Sequence, residues 1–547
     1  MLRIVVALLA LAGPMADAEV TILTADRIHT MSPARPTATA IAWDARGRLL
    51  MVGNAQSLRQ TFPEARILDA TGMTVLPGLI DSHGHIMSLG LALMRADLVG
   101  ASTKDEAIAR LREFARTLPA GAWLLGRGWD QNDWPGKSYP TAADLDAAFP
   151  ERPVWLERID GHAGWANTAA MRAVPRDLGG EWQPDGGRIL RGEGRATGIF
   201  IDTAVSLIDA VVPPPDAATR AEALTRALAS AASVGLTGVH DMGVSVEDLA
   251  LYRQFADAGK LSLRITAYAD GDGAALAALC KSGRYFHPSG RLRMAGVKLF
   301  ADGALGSRGA AMLADYHDEP GQRGLLVTEP AALEAAMVKA RDCGVQVATH
   351  AIGDRANRNV LDAYARVIGS SAAPKRWRIE HAQIVSPIDI PRFAKQGVIA
   401  SMQPIHATSD GPWVESRVGP EGLAGAYAWR RFLDSGAKLA FGSDFPVESD
   451  DPRLGIYAAI TREDLDGQPP GGWLSDQRLT AAEALQGFTA GAAYAGFEEA
   501  EVGRLAPGLR ADFVLIEGDP LAVAPRRIPE LRIRATWLDG QAVYAAD

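Results

Sequence analysis

Cysteine is nearly absent from this chain. Cys280 and Cys343 are its only two, too few for the stapled framework of a small secreted domain. Both read as small buried hydrophobes. No Lys/Arg run and no basic stripe occurs, and the net charge is -9 at pH 7, which excludes a nucleic-acid groove. Past the N-terminus no apolar run reaches the roughly 20 residues of a membrane-spanning helix. Solenoid repeats and low-complexity segments are missing too. What is present is an ordinary globular composition, 48% hydrophobic and 22% charged. At 547 residues the chain exceeds a single core, so two or three domains are expected.

The first residues follow another pattern. Arg3 precedes an apolar run at 4–12, Gly13-Pro14 ends it, and Ala16-Asp17-Ala18 supplies a small-x-small site. This pattern is that of a secretory signal peptide over 1–18, with cleavage after Ala18. The mature chain is therefore expected to be exported, periplasmic or secreted.

Short strands are expected at 20–23, 40–43 and 48–52, the last two joined by the turn Asp44-Ala45-Arg46-Gly47. The C-terminus matches them with strands at 511–516, 533–538 and 541–544, the last pair flanking Asp539-Gly540, a two-residue hairpin turn. The two ends, 19–75 and 500–547, are expected to form one small β-sandwich domain.

Between them, over 76–499, strand and helix alternate. After an opening strand at Leu76, apolar strand candidates lie at 235–240, 261–268, 294–300, 345–350, 376–381, 398–402 and 438–444. Helical stretches separate most of them. One ends at Gly344, and another opens with the capping box Thr480-Ala481-Ala482-Glu483. Eight βα units imply an α/β fold, a TIM (β/α)8 barrel. One connection is out of scale: about 100–234 is an insertion after barrel strand one. Loops after barrel strands lie at the catalytic face, so the insertion is expected to shape the substrate pocket. Its segment 126–134, with Trp129, offers aromatic walls.

Chemistry gathers at the strand ends. His83 and His85 alternate around Gly84 after an apolar run. Alternate residues on a strand share a face, and two imidazoles on one face suit a divalent metal. Lys298 sits inside the apolar strand at 294–300. His350, His381 and Asp444 each end a later strand. Singly, each has a structural explanation: a bonded core histidine, a snorkelling lysine, a helix cap. Convergence across five strand ends points to a site.

These residues and the phrases around them resemble the amidohydrolase superfamily. Within it they resemble amidohydrolase family 3, the YtcJ-like and N-substituted formamide deformylase-like proteins. The phrases are Leu-Pro-Gly-Leu-Ile-Asp-Ser-His-Gly-His at 76–85, Gly-His-Ala-Gly-Trp-Ala-Asn at 161–167 and Val-Lys-Leu-Phe-Ala-Asp-Gly-Ala-Leu-Gly-Ser-Arg at 297–308. Thr-His-Ala-Ile-Gly-Asp-Arg-Ala at 349–356, Arg-Ile-Glu-His-Ala-Gln at 378–383 and Gly-Ser-Asp-Phe-Pro-Val at 442–447 complete the set. The resemblance implies a centre of two divalent metals. His83, His85 and Asp444 would hold one, His350 and His381 the other, and an N-carboxylated Lys298 would bridge them. Zinc suits imidazole and oxygen ligands, with iron, manganese and nickel as alternatives. A metal-bridging hydroxide would attack the substrate carbonyl, and Asp444 would carry its proton to the leaving nitrogen.

Four further residues are candidate substrate contacts. His162 and His240 would donate to a substrate oxyanion or serve as structural hydrogen-bonding groups. Asp302 and Arg308 follow strand four, and Arg308 would hold a substrate carboxylate or pair with a neighbouring acid. His29, His287, His317 and His406 have no supporting pattern and are assigned to structure or surface. The expected activity is hydrolysis of a non-peptide C–N bond in a small molecule: an amide, an N-formyl group or a cyclic amide. Hydrolysis of another acyl or ester bond, or a noncatalytic binding role, are the alternatives. Whether the chain pairs as a homodimer stays open.

Overall fold

The first three strands, β1 (Thr21–His29), β2 (Thr37–Trp43) and β3 (Leu49–Gly53), pair antiparallel in sequence, and β4 (Arg66–Pro77) lies parallel to β1 on its other side. They belong to a computed structural model that describes residues 20–546 except 120, 160, 162, 185–186, 307 and 370–373. The expected signal peptide and His162 lie outside the described residues. The chain divides into two units: the described residues up to His85 together with those from Leu228 onward, and Ile86–Ala227.

Strand β5 (Leu79–Gly84) opens the barrel, and all six of its residues are buried. That is the pattern of a strand covered on both faces. The unit Ile86–Ala227 then forms its own six-stranded sheet. Its strands are β6 (Ala96–Asp97), β7 (Leu124–Trp129), β8 (Val154–Arg158), β9 (Ala163–Ala166), β10 (Gly187–Gly192) and β11 (Arg195–Asp202), in the order β10-β11-β9-β8-β7-β6. The insertion was expected at about 100–234; it begins as soon as His85 is placed.

The barrel resumes with β12 (Leu236–Val244), β13 (Arg264–Asp270), a short β14 (Tyr285–Phe286) and β15 (Leu292–Phe300). It continues through β16 (Gln346–Ala351), β17 (Arg378–His381), β18 (Ile399–Met402) and β19 (Lys438–Phe441). The eight strands β5-β12-β13-β15-β16-β17-β18-β19 pair in parallel. The ring closes just past its last strand. Asp444 N–H donates to the His83 carbonyl at 2.7 Å, and His85 N–H donates to the Phe445 carbonyl at 2.9 Å. Glycine permits that seam. A Cβ on Gly84 would lie 2.5 Å from the Phe445 ring, and one on Gly442 would lie 2.4 Å from Asp81 Oδ1. Outside the ring, helix Asp354–Ile368 buries Val360, Leu361, Tyr364 and Val367, positions three, four and seven apart.

The C-terminal strands β20 (Phe513–Glu517), β21 (Ile533–Leu538) and β22 (Gln541–Ala545) return to the first sheet, giving the order β22-β21-β20-β4-β1-β2-β3. In a flat sheet β2 and β20 would stand about 14 Å apart, three strand spacings. Yet the Trp43 and Phe513 rings are 5.5 Å apart, and Trp43 and Trp537 are 5.9 Å apart. The sheet folds over on itself, and these rings fill the space between its leaves. The result is a small β-sandwich built from both ends of the chain.

Two expectations shift. The apolar run through Leu76 is not the barrel strand. Val75, Leu76 and Pro77 pair with Leu515, Val514 and Phe513 of β20, and the barrel strand starts at Leu79. Nor are Cys280 and Cys343 isolated hydrophobes. They are bonded to each other, Cα to Cα 5.0 Å, and tie helix Ala274–Ser282 to the end of helix Pro330–Asp342. These helices precede and follow β15.

Candidate metal centre

Six side chains meet at the C-terminal ends of the barrel strands. The rings of His85 and His83 are 5.5 Å apart, those of His83 and His381 4.7 Å, and those of His381 and His350 4.6 Å. Lys298 Nζ donates to His83 Nε2 at 3.1 Å. Asp444 Oδ1 lies 3.0 Å from His85 Nε2 and 3.4 Å from His83 Nε2. Ligand atoms of His83, His85 and Asp444 all fall within 4.8 Å of one another, a group able to hold a metal ion. His85 follows the last residue of β5, and Asp444 lies three residues past β19. His381 (φ 72) and Asp444 (φ 63) have left-handed backbones, a cost of roughly 1–3 kcal/mol each that regular strand would not incur.

Hydrogen bonds fix which nitrogen each imidazole presents. A carboxylate or carbonyl only accepts, so the ring nitrogen facing it must carry the proton. His83 Nδ1–H donates to Glu380 Oε2 at 2.6 Å. His85 Nδ1–H donates to the Met242 carbonyl at 2.7 Å. His381 Nδ1–H donates to Gln403 Oε1 at 2.8 Å. His350 Nε2–H faces the Gly303 carbonyl at 3.4 Å. Three rings are left with a bare lone pair, Nε2 of His83 and His381 and Nδ1 of His350, while His85 Nε2 shares a proton with Asp444 Oδ1 at 3.0 Å. This donor set fits divalent zinc or a similar cation, whose histidine ligands are usually oriented by such partners.

The electrostatics agree for three of the four rings; burial would lower His85 too, but the Asp444 carboxylate outweighs it and raises that ring. Burial and the nearby Lys298 charge push His83 down to about 4 and His350 down to about 3. Burial likewise holds His381 well below its ordinary value. These three imidazoles are neutral near pH 7, as ligands must be. Burial lowers Lys298 to about 8. Burial would raise Asp444, but His83 and His85 outweigh it and keep the carboxylate ionised.

Of the softer substrate assignments, Trp129 and Asp302 are found in other roles, while His240 and Arg308 take the structural alternatives already open to them. Trp129 is fully buried in the core of Ile86–Ala227, packed on Trp134 and Trp165, with its indole N–H on the Leu156 carbonyl at 2.9 Å. It leaves no face for substrate. His240 is also fully buried, with both ring nitrogens engaged by Arg378 and Glu498. The carboxylate of Asp302 accepts from the backbone N–H groups of Ala311, Ile352 and Gly353, so it binds loops together. Burial raises it to about 7 despite those bonds. Arg308 takes the alternative already open to it, pairing with Asp318 at 2.9 Å and Glu319 at 3.2 Å. Asp81 closes the barrel seam, accepting from Ser443 N–H and Oγ–H.

The sequence reading gave no role to Glu380, Arg378 or Gln403. The mark was visible in part: Arg378 and Glu380 alternate on a four-residue strand that is entirely buried, where unpaired charges are not tolerated. Their partners come from other strands and carry no local pattern.

A parallel barrel with histidines, a lysine and an aspartate at its strand ends defines a metal-dependent hydrolase type of site. The chain belongs to the amidohydrolase family, whose model matches residues 66–544. It is 34% identical over 506 residues to YtcJ of Bacillus subtilis, covering 90% of this chain and 93% of that one. It is 30% identical over 518 residues to N-substituted formamide deformylase of Arthrobacter pascens, covering 91% and 93%. A solved structure of an uncharacterised metal-dependent hydrolase from Pyrococcus horikoshii matches with a TM-score of 0.77 and 28% identity, over 93% of this chain and 99% of that one.

Proposed function

We propose that this protein hydrolyses a non-peptide C–N bond, in an amide, N-formyl or cyclic amide substrate, at a binuclear metal centre. His83, His85 and Asp444 would hold one metal, His350 and His381 the other. Lys298, as its N-carboxylate, would serve both. The observation that carries this reading is the cluster itself: His83, His85 and Asp444 bring ligand atoms within 4.8 Å of one another, and the rings of His381 and His350 continue from His83 at 4.7 and 4.6 Å. The similarity to a formamide deformylase supports the bond class.

Bound there, divalent metals would acidify a water and polarise a substrate carbonyl. The rest falls to the chain. Lys298 is buried and lowered to about 8, so a sizeable fraction is neutral amine, the form that adds carbon dioxide and releases a proton to give a carbamate. Asp444 is held ionised at Oδ1 beside His85. It can accept the proton of the attacking water and deliver it to the departing nitrogen. Glu380, Met242 and Gln403 keep the rings from turning.

A panel of amides, N-formyl amines, cyclic amides, esters and peptides tests the reading. Hydrolysis should be confined to the C–N substrates, vanish after chelation and return with zinc. Turnover that survives complete metal removal contradicts it, and esters cleaved in preference favour the acyl alternative.

We also propose export of the mature chain. The apolar start with its Ala-x-Ala site and the bonded cysteines, which persist in oxidising compartments, support it. N-terminal sequencing from the native host should begin at Glu19; Met1 in an exported fraction would refute the cleavage site.

A further inference from the structure

A chain of buried polar groups runs through the barrel interior from His83 to Glu498. Glu380 accepts from His83 Nδ1–H at 2.6 Å and from Arg378 Nε–H at 2.5 Å and Nη2–H at 3.0 Å. The same guanidinium donates to the Ser82 carbonyl at 2.6 Å and Ser401 Oγ at 2.5 Å. Its Nη1 donates to His240 Nδ1 at 2.8 Å. His240 Nε2 reaches Glu498 Oε2 at 3.1 Å, and Glu498 Oε1 takes Arg293 at 2.9 Å and Thr266 at 3.1 Å. His83, Glu380, Arg378 and His240 have no solvent exposure.

Each link has one permitted direction. An arginine only donates, so His240 Nδ1 must be the bare nitrogen and Nε2 must carry the proton that goes to Glu498. A carboxylate only accepts, so His83 Nδ1 must carry its proton and Nε2 must be bare. One guanidinium therefore joins the tautomers of two histidines. Were His240 to hold its proton on Nδ1, two donors would face each other in a dry interior. Arg378 would have to leave Glu380 or lose that bond.

We infer that His240 is a positioning residue: through Arg378 and Glu380 it keeps His83 in the tautomer that presents Nε2 to a metal. This rests on the metal-centre reading above. It gives His240 a task without contact to metal or substrate.

Two substitutions isolate the link. Asn at this position places an acceptor oxygen where Nδ1 stands; Leu offers none. Neither reaches Glu498, so both lose that bond alike. Zinc affinity, measured by chelator competition on the full-length protein, should fall severalfold in His240→Leu, toward the roughly tenfold that losing a ligand's own hydrogen-bond partner costs. In His240→Asn it should stay within about threefold of wild type. A merely structural histidine predicts equal zinc affinities for the two variants, and that result would overturn the inference while leaving the metal centre standing. A wild-type protein that binds no zinc overturns the metal-centre reading and the inference with it. If His240→Leu does not fold, nitrogen-15 spectra of wild-type protein decide. His240 should show Nε2 protonated and Nδ1 bare, and the opposite tautomer refutes the relay.

Discussion

A histidine binds a metal only through a nitrogen that carries no proton, so its neighbours decide its chemistry as much as its position does. Here the neighbours are a carboxylate, two backbone carbonyls and an amide oxygen, each placed by a different element. Glu498 shows the same dependence in its own titration. Burial pushes its carboxyl up, but Arg293 and His240 outweigh burial and hold it at about 2, against an ordinary 4.5. A carboxyl depressed in the folded state adds stability that is complete above about 4.5 and lost as pH falls through 2. Glu498→Gln should thus be less stable than wild type at pH 7, with the gap narrowing between pH 4.5 and 2. Denaturant unfolding across that range checks it; a gap independent of pH would contradict the assignment. The gathering of His83, His85, Lys298, His350, His381 and Asp444 at one end of the barrel was legible in the sequence because residue type and strand end coincide. Which of the two readings open to His240 and to Arg308 holds, and the loop contacts of Asp302, were not. Their partners decide them, and the partner of His240 lies 258 residues away.

At the scale of elements, the strand pattern was plain where apolar runs end in turns and hidden where one run serves two sheets. Residues 74–80 are continuously apolar apart from Thr74 and Gly78. Nothing in their hydropathy marks where β4 ends and β5 begins. The mark is Pro77-Gly78: β4 pairs up to Pro77, and a Cβ on Gly78 would lie 2.1 Å from Thr237 Oγ1. Another join between sandwich and barrel is ionic. Arg264, the first residue of β13, donates to Asp512 at 2.6 and 2.9 Å and to Asp539 at 2.5 Å. Arg264 and Asp512 are almost fully buried, so removing the cation strands the Asp512 carboxylate, while Asp539 keeps Arg291 and Arg510. Arg264→Ala should cost about 3–5 kcal/mol of unfolding free energy. A loss below about 1 kcal/mol, the range of exposed ion pairs, would show that the pair is hydrated and does not clamp the domains.

For the whole molecule, the two ends of the chain meet in one sandwich, and the barrel they bracket gathers its ligands from strands as far apart in sequence as His83 and Asp444. Alternation of strand and helix made that barrel readable. The packing of Trp129 into the insertion's own core was not, because an aromatic-rich segment reads alike whether it faces a ligand or a core. The account turns on Lys298, the one amine among the imidazoles. The decisive measurement is the metal stoichiometry of Lys298→Ala beside wild type, with turnover on a C–N substrate taken on the same samples. The account predicts that metal content falls and turnover nearly vanishes, and that a short carboxylic acid added to the variant restores part of it. A variant that keeps two metals and near-wild-type turnover, losing only stability, would contradict it.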